Sequence, residues 1–154
     1  DNENSWIDWS LLEKNKDLFE FFKFMIDYRK KHPVIRKKLD NAVCGMEAMH
    51  AHDVNAERME VPQNAKTLAV SFAGYDRKKG KDDLVYVAVN AYWEEVKITL
   101  PNLANHGAWY LSVDTYGDEK GKYFYQEGEE IRIDREYVMK PRSIVVFTGR
   151  EILR

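Results

Sequence analysis

Two hydrophobic periods divide the chain. Between Leu11 and Lys31, the residues Leu18, Phe21, Phe22, Met25 and Ile26 recur at spacings of three and four, which is one face of a helix. Phe19, Phe24 and Tyr28 widen that face well beyond a single stripe, so the helix is expected to be covered on more than one side. Ser10 offers a capping oxygen with Glu13 in the capping-box position, and Pro33 forces a stop after His32. A start at Asn15 or Asp17 is nearly as good.

From Thr67 onward the period becomes two. Leu68, Val70 and Phe72 alternate with Ala69, Ser71 and Ala73; the polar loop 76–83 then leads into a second run, Leu84 to Ala91, which predicts a hairpin. Val96, Ile98 and Leu100, the run Trp109 to Val113, Ile131 with Ile133, and Ile144 to Phe147 continue the series. Short strands joined by turns, with no helices between them, predict a mainly β fold. The expected architecture is an antiparallel β-sandwich of roughly six to eight strands preceded by one N-terminal α-helix. The segment from Asp40 to Asn64 carries neither period and is expected to be irregular.

Composition narrows the function classes. The single Cys44 excludes an internal disulfide and a multi-cysteine zinc module, and without a Cys-His-Asn signature it reads as a small hydrophobe rather than a nucleophile. A net charge of −2 gives no basic face for nucleic acid. No apolar run approaches the about 20 residues needed to cross a bilayer, so neither nucleic acid nor membrane is expected as a partner. A cytoplasmic location is expected, though the missing apolar run itself says nothing about export of a larger parent.

Candidate chemistry is sparse. His50, His52 and Asp53 are suitable metal ligands, but a solvated loop is the preferred reading, with the two imidazoles expected on opposite faces of the chain; no metal and no cofactor are expected. Tyr92-Trp93, Trp109-Tyr110 and the loop 116–125 with Tyr116, Tyr123, Phe124 and Tyr125 offer rings that could stack on sugars. The favoured alternative is that Trp93 and Trp109 close the ends of the sandwich core. Arg77, Lys78, Lys79 and Lys81, offset by Asp76, Asp82 and Asp83, read as a solvated hairpin tip that guards against edge pairing.

Several segments, taken in order, resemble one family. The opening Asp1-Asn2-Glu3-Asn4-Ser5-Trp6-Ile7-Asp8-Trp9 is similar to a Gln-Asp-Asn-Glu-x-x-Trp-x-Asp-Trp segment, and Tyr28 to Pro33 to an Arg-Lys-x-His-Pro helix exit. Thr67 to Val70 looks like a first long strand, Asn90-Ala91-Tyr92-Trp93-Glu94 an Asn-Ala-x-Trp-Glu turn, and Leu100-Pro101 a strand stop. Trp109 with Asp114-Thr115, and Pro141-Arg142-Ser143 running to Phe147, complete the series, whereas residues 40–66 match poorly. Together these resemble the C-terminal region of glycogen debranching enzymes of the isoamylase and pullulanase type, within the α-amylase superfamily.

The resemblance implies that the chain opens in the middle of a larger protein. Residues 1–39 would be a remnant of the catalytic barrel, its loop and last helix, and 40–154 the C-terminal β-sandwich domain. The implied parent hydrolyses α-1,6-glucosidic branch points in glycogen or starch. Glycoside hydrolysis needs two carboxylates on a rigid scaffold. In the family these lie upstream of the matched region, so no catalytic residue is expected here and the fragment itself is not an enzyme. Asp1, Asn2, Glu3 and Trp6 match a segment near the substrate cleft and are expected to bind substrate only in the intact enzyme. The expected role is stabilisation of the barrel, with an independent carbohydrate-binding module as the alternative. The expected partners are the barrel, α-glucan through the parent, and a second copy of the fragment through the N-terminal helix.

Overall fold

The computed structural model describes residues 2–3, 6–56, 61–104 and 107–151. The chain forms two compact units, residues 1–31 and 32–154.

The first unit is helical but not one helix. α1 (Leu11–Lys14) and α2 (Lys16–Lys31) are separated at Asn15. Both the backbone N–H and the side-chain Nδ2 of Asn15 donate to the Leu11 carbonyl, at 3.0 and 3.1 Å. This local competition by a short amide side chain is what interrupts helices. The Asn15 carbonyl then accepts from Phe19 N–H and starts α2. The expectation of a Ser10 cap is corrected: its backbone is itself helical and its hydroxyl caps nothing, bonding instead to the Asp8 carboxylate at 2.6 Å. That hydrogen bond, with a second from the Ser10 backbone, holds the Asp8 carboxyl below the usual carboxylate range.

The second unit is the β-domain. After a 3-10 helix at Pro33–Ile35 come, among the described residues, eight strands: β1 (Met49–His52), β2 (Thr67–Asp76), β3 (Lys81–Asn90), β4 (Val96–Thr99), β5 (Gly107–Asp114), β6 (Ile131–Ile133), β7 (Glu136–Met139) and β8 (Ser143–Glu151). All strand pairs are antiparallel. A six-stranded sheet runs in the order β1-β2-β3-β8-β5-β6, and β4 pairs with β7 in a second, two-stranded sheet. The expected mainly β sandwich, without helices between strands, is what the chain forms. One expectation fails: the stretch 40–64 is not wholly irregular, because β1 lies within it. Its sequence, Met-His-Ala-His, alternates over only four residues and turns its histidines rather than its apolar residues to the core, so pairing with β2 is what makes it a strand.

The inner face of the large sheet is built by size complementarity. β2 contributes Ala69, Ser71 and Ala73, all buried and small, while Leu84, Tyr86, Trp109, Leu111, Val145 and Phe147 on the neighbouring strands fill the space these leave. Ile98 from β4 and Met139 from β7 complete the cluster. Tyr86 is its aromatic hub, with ring centroids 5.8 Å from Trp109 and 6.2 Å from Phe147, in tilted arrangements that ring quadrupoles favour. Trp109 donates its indole N–H to the Pro101 carbonyl at 2.7 Å, which satisfies the polar end of a buried ring.

Two consecutive aspartates fasten the segment that precedes β1 to both sides of the sheet. Successive side chains on a strand point to opposite faces. Asp83, on the outer face, accepts from Val34 N–H at 3.1 Å and pairs with His32 Nδ1 at 2.6 Å. Asp82, on the inner face, accepts from the N–H groups of Val43 and Cys44, both at 2.8 Å. Between these anchors the chain crosses the β2 side at the Asp40–Tyr75 bridge. Gly74 permits the crossing: a Cβ there would lie 2.6 Å from Leu39 Cβ. Asp76 and Asp83 are therefore buried structural groups rather than solvated counter-charges, since a side chain that caps backbone N–H groups must be drawn in against them.

Candidate functional site

The outer face of the large sheet is the most distinctive surface of the β-domain. The registers Leu68↔Val89, Val70↔Val87 and Phe72↔Val85 between β2 and β3 continue as Val89↔Ile144 and Val87↔Val146 onto β8. Met49 of β1 lies opposite Phe72 on the same face. Nine apolar residues on four strands thus form a ladder facing away from the core. Near the Gly74 end, where Pro33–Ile35 packs on β2 and β3, Val85 is fully buried. Toward the other end Leu68 and Ile144 are 47% and 41% exposed. An antiparallel sheet with one solvated side normally alternates apolar and polar residues, and a continuous apolar run marks a strand covered on both faces. The run Leu84–Val89 carried this signal in the sequence.

The residues expected at the substrate cleft fall in the first unit. Asp1 lies outside the described residues. The Glu3 carbonyl accepts from Trp6 N–H at 3.3 Å, and the Trp6 ring is exposed.

His50 and His52 share the inner face of β1, with ring centroids 4.7 Å apart. The expectation that they face opposite sides is corrected, because residues two apart on a strand lie on the same side. Nor is the segment a solvated loop. His52 is buried; its Nδ1 lies 3.1 Å from the Ala56 carbonyl and its Nε2 2.9 Å from Ser71 Oγ. A carbonyl only accepts, which places the proton of the neutral ring on Nδ1 and lets Ser71 donate to Nε2. Asp53 is also buried, and the Tyr86 hydroxyl beside this cluster has no hydrogen-bond partner among the described residues. Burial, reinforced by the Asp53 charge, pushes the Tyr86 hydroxyl far up. Among the described residues no group of three or more His, Cys, Asp or Glu side chains is arranged to hold a metal ion. The Cys44 thiol is pushed up by burial first and by Asp82 after it, which keeps it in the unreactive thiol form.

Burial also lowers the His52 imidazole from its ordinary value of 6.5. For a histidine depressed in the folded state, the stabilisation is complete above the unfolded value. It is lost as pH falls from there through the lower folded value. His50, itself near Glu47, adds like-charge repulsion when both rings are protonated. The urea midpoint of the chain is therefore expected to fall between pH 7 and pH 5, and a His52→Gln variant to fall less steeply. Identical slopes would remove His52 as a source of the acid sensitivity.

The aromatic residues separate. Trp109 is a core residue at 2% exposure, Tyr125 is buried with it, and Tyr123 and Phe124 are half-buried. Trp93 is 64% exposed, so the expectation that it closes an end of the core is corrected. The Asn90 side chain holds the turn after β3 from below and directs the Trp93 ring outward: its Nδ2 donates to the carbonyls of Glu94 and Lys140, and its Oδ1 accepts from Tyr92 N–H.

No helix among the described residues is long and apolar enough to cross a membrane. No curated protein matches the chain at a significant level. A family model described as isoamylase, C-terminal, matches residues 43–148, about two thirds of the 154 residues. That span runs from the loop held by Asp82 to Thr148 near the end of β8, taking in every strand of both sheets. The chain belongs to the isoamylase C-terminal family.

Proposed function

We propose that this chain is the non-catalytic C-terminal part of a glycoside hydrolase acting on α-1,6-glucosidic branch points, and that it stabilises the catalytic barrel of that enzyme. Residues 1–39 then belong to the barrel side, with Asp1, Asn2, Glu3 and Trp6 near its substrate cleft, and 40–154 form the appended domain. The observation that carries the reading is the apolar ladder on the outer face of the large sheet, which is built as a covered surface. Burial of apolar area contributes about 25 cal/mol per Å², so a face of this kind stabilises any complementary surface that covers it. The carboxylates of half-buried Asp82 and buried Asp83 are consumed in holding backbone N–H groups, and neither is available as a general acid or nucleophile.

The test uses the 154-residue chain and a separately produced catalytic domain. The chain is expected to bind that domain and raise its melting temperature, whereas Leu68→Glu with Ile144→Glu abolishes both effects without unfolding the chain. Equal binding by the double variant would overturn the docking face. Alone, the chain is expected to release no reducing sugar from pullulan or glycogen above a heat-killed control.

Without the barrel, the helix has its own unmet surface: Leu18, Phe19, Phe22 and Ile26 of α2 are all about half exposed or more. Contiguous apolar patches beyond a few hundred Å² are uncommon on monomers, and the same face meeting itself across a two-fold axis is the simplest cover. Light scattering at tens of micromolar is expected to give the mass of a dimer, reverting to a monomer when Phe22 and Ile26 are made polar. A monomeric mass for the unaltered chain would overturn the dimer.

A further inference from the structure

We propose that Tyr92 and Trp93 form a sugar-binding platform on the β-domain that takes an α-glucan chain outside the catalytic cleft of the parent. The two rings lie with centroids 4.2 Å apart and planes inclined by 40°, which makes an angled rather than a flat surface. Lys66 Nζ sits 3.7 Å from the Tyr92 centroid and 5.5 Å from that of Trp93, a cation–π contact that holds the pair in place.

The backbone beneath is fixed on several sides. Besides the three bonds of the buried Asn90 side chain, Ala91 N–H donates to the Lys66 carbonyl at 2.9 Å, and Arg142 N–H donates to the Tyr92 carbonyl at 3.0 Å. A tryptophan serving the core resembles Trp109, turned inward with its N–H paired; Trp93 is instead displayed on a rigid turn. Polar groups border it. Glu94 and Arg142 are exposed, and Glu95 forms an ion pair with Lys140.

A pyranose has this same division, an apolar C–H face with hydroxyls around the rim. An apolar protein segment would leave the charged border unmatched. Rigid aromatic rings lose little conformational entropy on contact, so a pre-set pair is an efficient stacking surface. The choice of α-glucan, rather than another pyranose chain, rests on the reading of the parent enzyme given above.

The 154-residue chain is titrated with maltoheptaose by calorimetry, with cellohexaose as the control. Saturable binding of maltoheptaose is expected, weakened about tenfold or more in Trp93→Ala. Because Trp93 is exposed, the urea midpoint of that variant should match the unaltered chain, which separates loss of the ligand from loss of the fold. No saturable binding, equal binding by the variant, or a preference for cellohexaose would overturn the proposal. Binding is also expected to persist when the catalytic domain is bound; its loss on complex formation would assign the ring pair to the interface and overturn the platform. Should maltoheptaose bind through Trp93 while the catalytic domain does not bind at all, the platform stands and the docking reading alone falls.

Discussion

Replacing Trp109 by alanine is expected to destabilise the β-domain by about 3–5 kcal/mol, the range for removing a large buried aromatic. The indole is 2% exposed and lies between the Tyr86 ring and the Gly149 backbone, where a Cβ added to Gly149 would come within 3.1 Å of Trp109 Cζ3. Neighbours this close are set by the rigid sheet and cannot collapse fully into the void. The substitution also strips the Pro101 carbonyl of its donor. Against a total stability of about 5–15 kcal/mol for a typical domain, the loss is a large fraction. Trp109→Phe keeps much of the volume and should cost less. Urea unfolding followed by circular dichroism measures both, and a loss under about 1 kcal/mol for Trp109→Ala would mean that the core closes over the gap.

Asp83→Ala is expected to cost about 3 kcal/mol, because removing a buried carboxylate that accepts two hydrogen bonds strips buried donors of their acceptor. The carboxylate is 3% exposed and serves both His32 and the Val34 N–H. Without it the Val34 N–H has no acceptor in a buried position, and the 3-10 helix loses its fastening to the sheet. Asp82→Ala removes an equivalent pair of bonds but from a half-exposed residue, so water can replace what is lost and the effect should be smaller. The same denaturation series ranks the two; an Asp82→Ala loss exceeding that of Asp83→Ala would contradict the assignment of Asp83 as the main anchor.

Where local chemistry decides the outcome, the sequence was readable. The strands from Thr67 onward other than β7, and the stop at Pro33, follow from periodicity and from the missing proline N–H. The same reasoning failed at Ser10 and Asn15, where a neighbouring side chain competed for the backbone: Asp8 took the Ser10 hydroxyl, and Asn15 took the Leu11 carbonyl. β1 was not legible because its four residues become a strand only by pairing with β2, thereby burying His52 under Ser71. Direction was lost as well as pairing. Alternation in β2 separates Ala69, Ser71 and Ala73 from Leu68, Val70 and Phe72, yet which set meets the core depends on the bulk of Tyr86, Trp109 and Phe147 on β3, β5 and β8. The candidate surface follows the same division. Its apolar run was visible in β3, but that the run faces outward required the register with β2 and β8, and the exposure of Trp93 required the Asn90 contacts beneath it.

The two outermost strands of the large sheet, β1 and β6, have four and three residues, whereas β2 and β3 inside it have ten each. Unpaired backbone along a long apolar strand is a template on which further copies can add indefinitely. Here the strands most able to seed such growth are locked in the interior, behind borders too short to propagate it. The outer apolar face, exposed at Leu68 and Ile144, is thereby limited in its errors to finite, face-to-face contacts rather than fibrils.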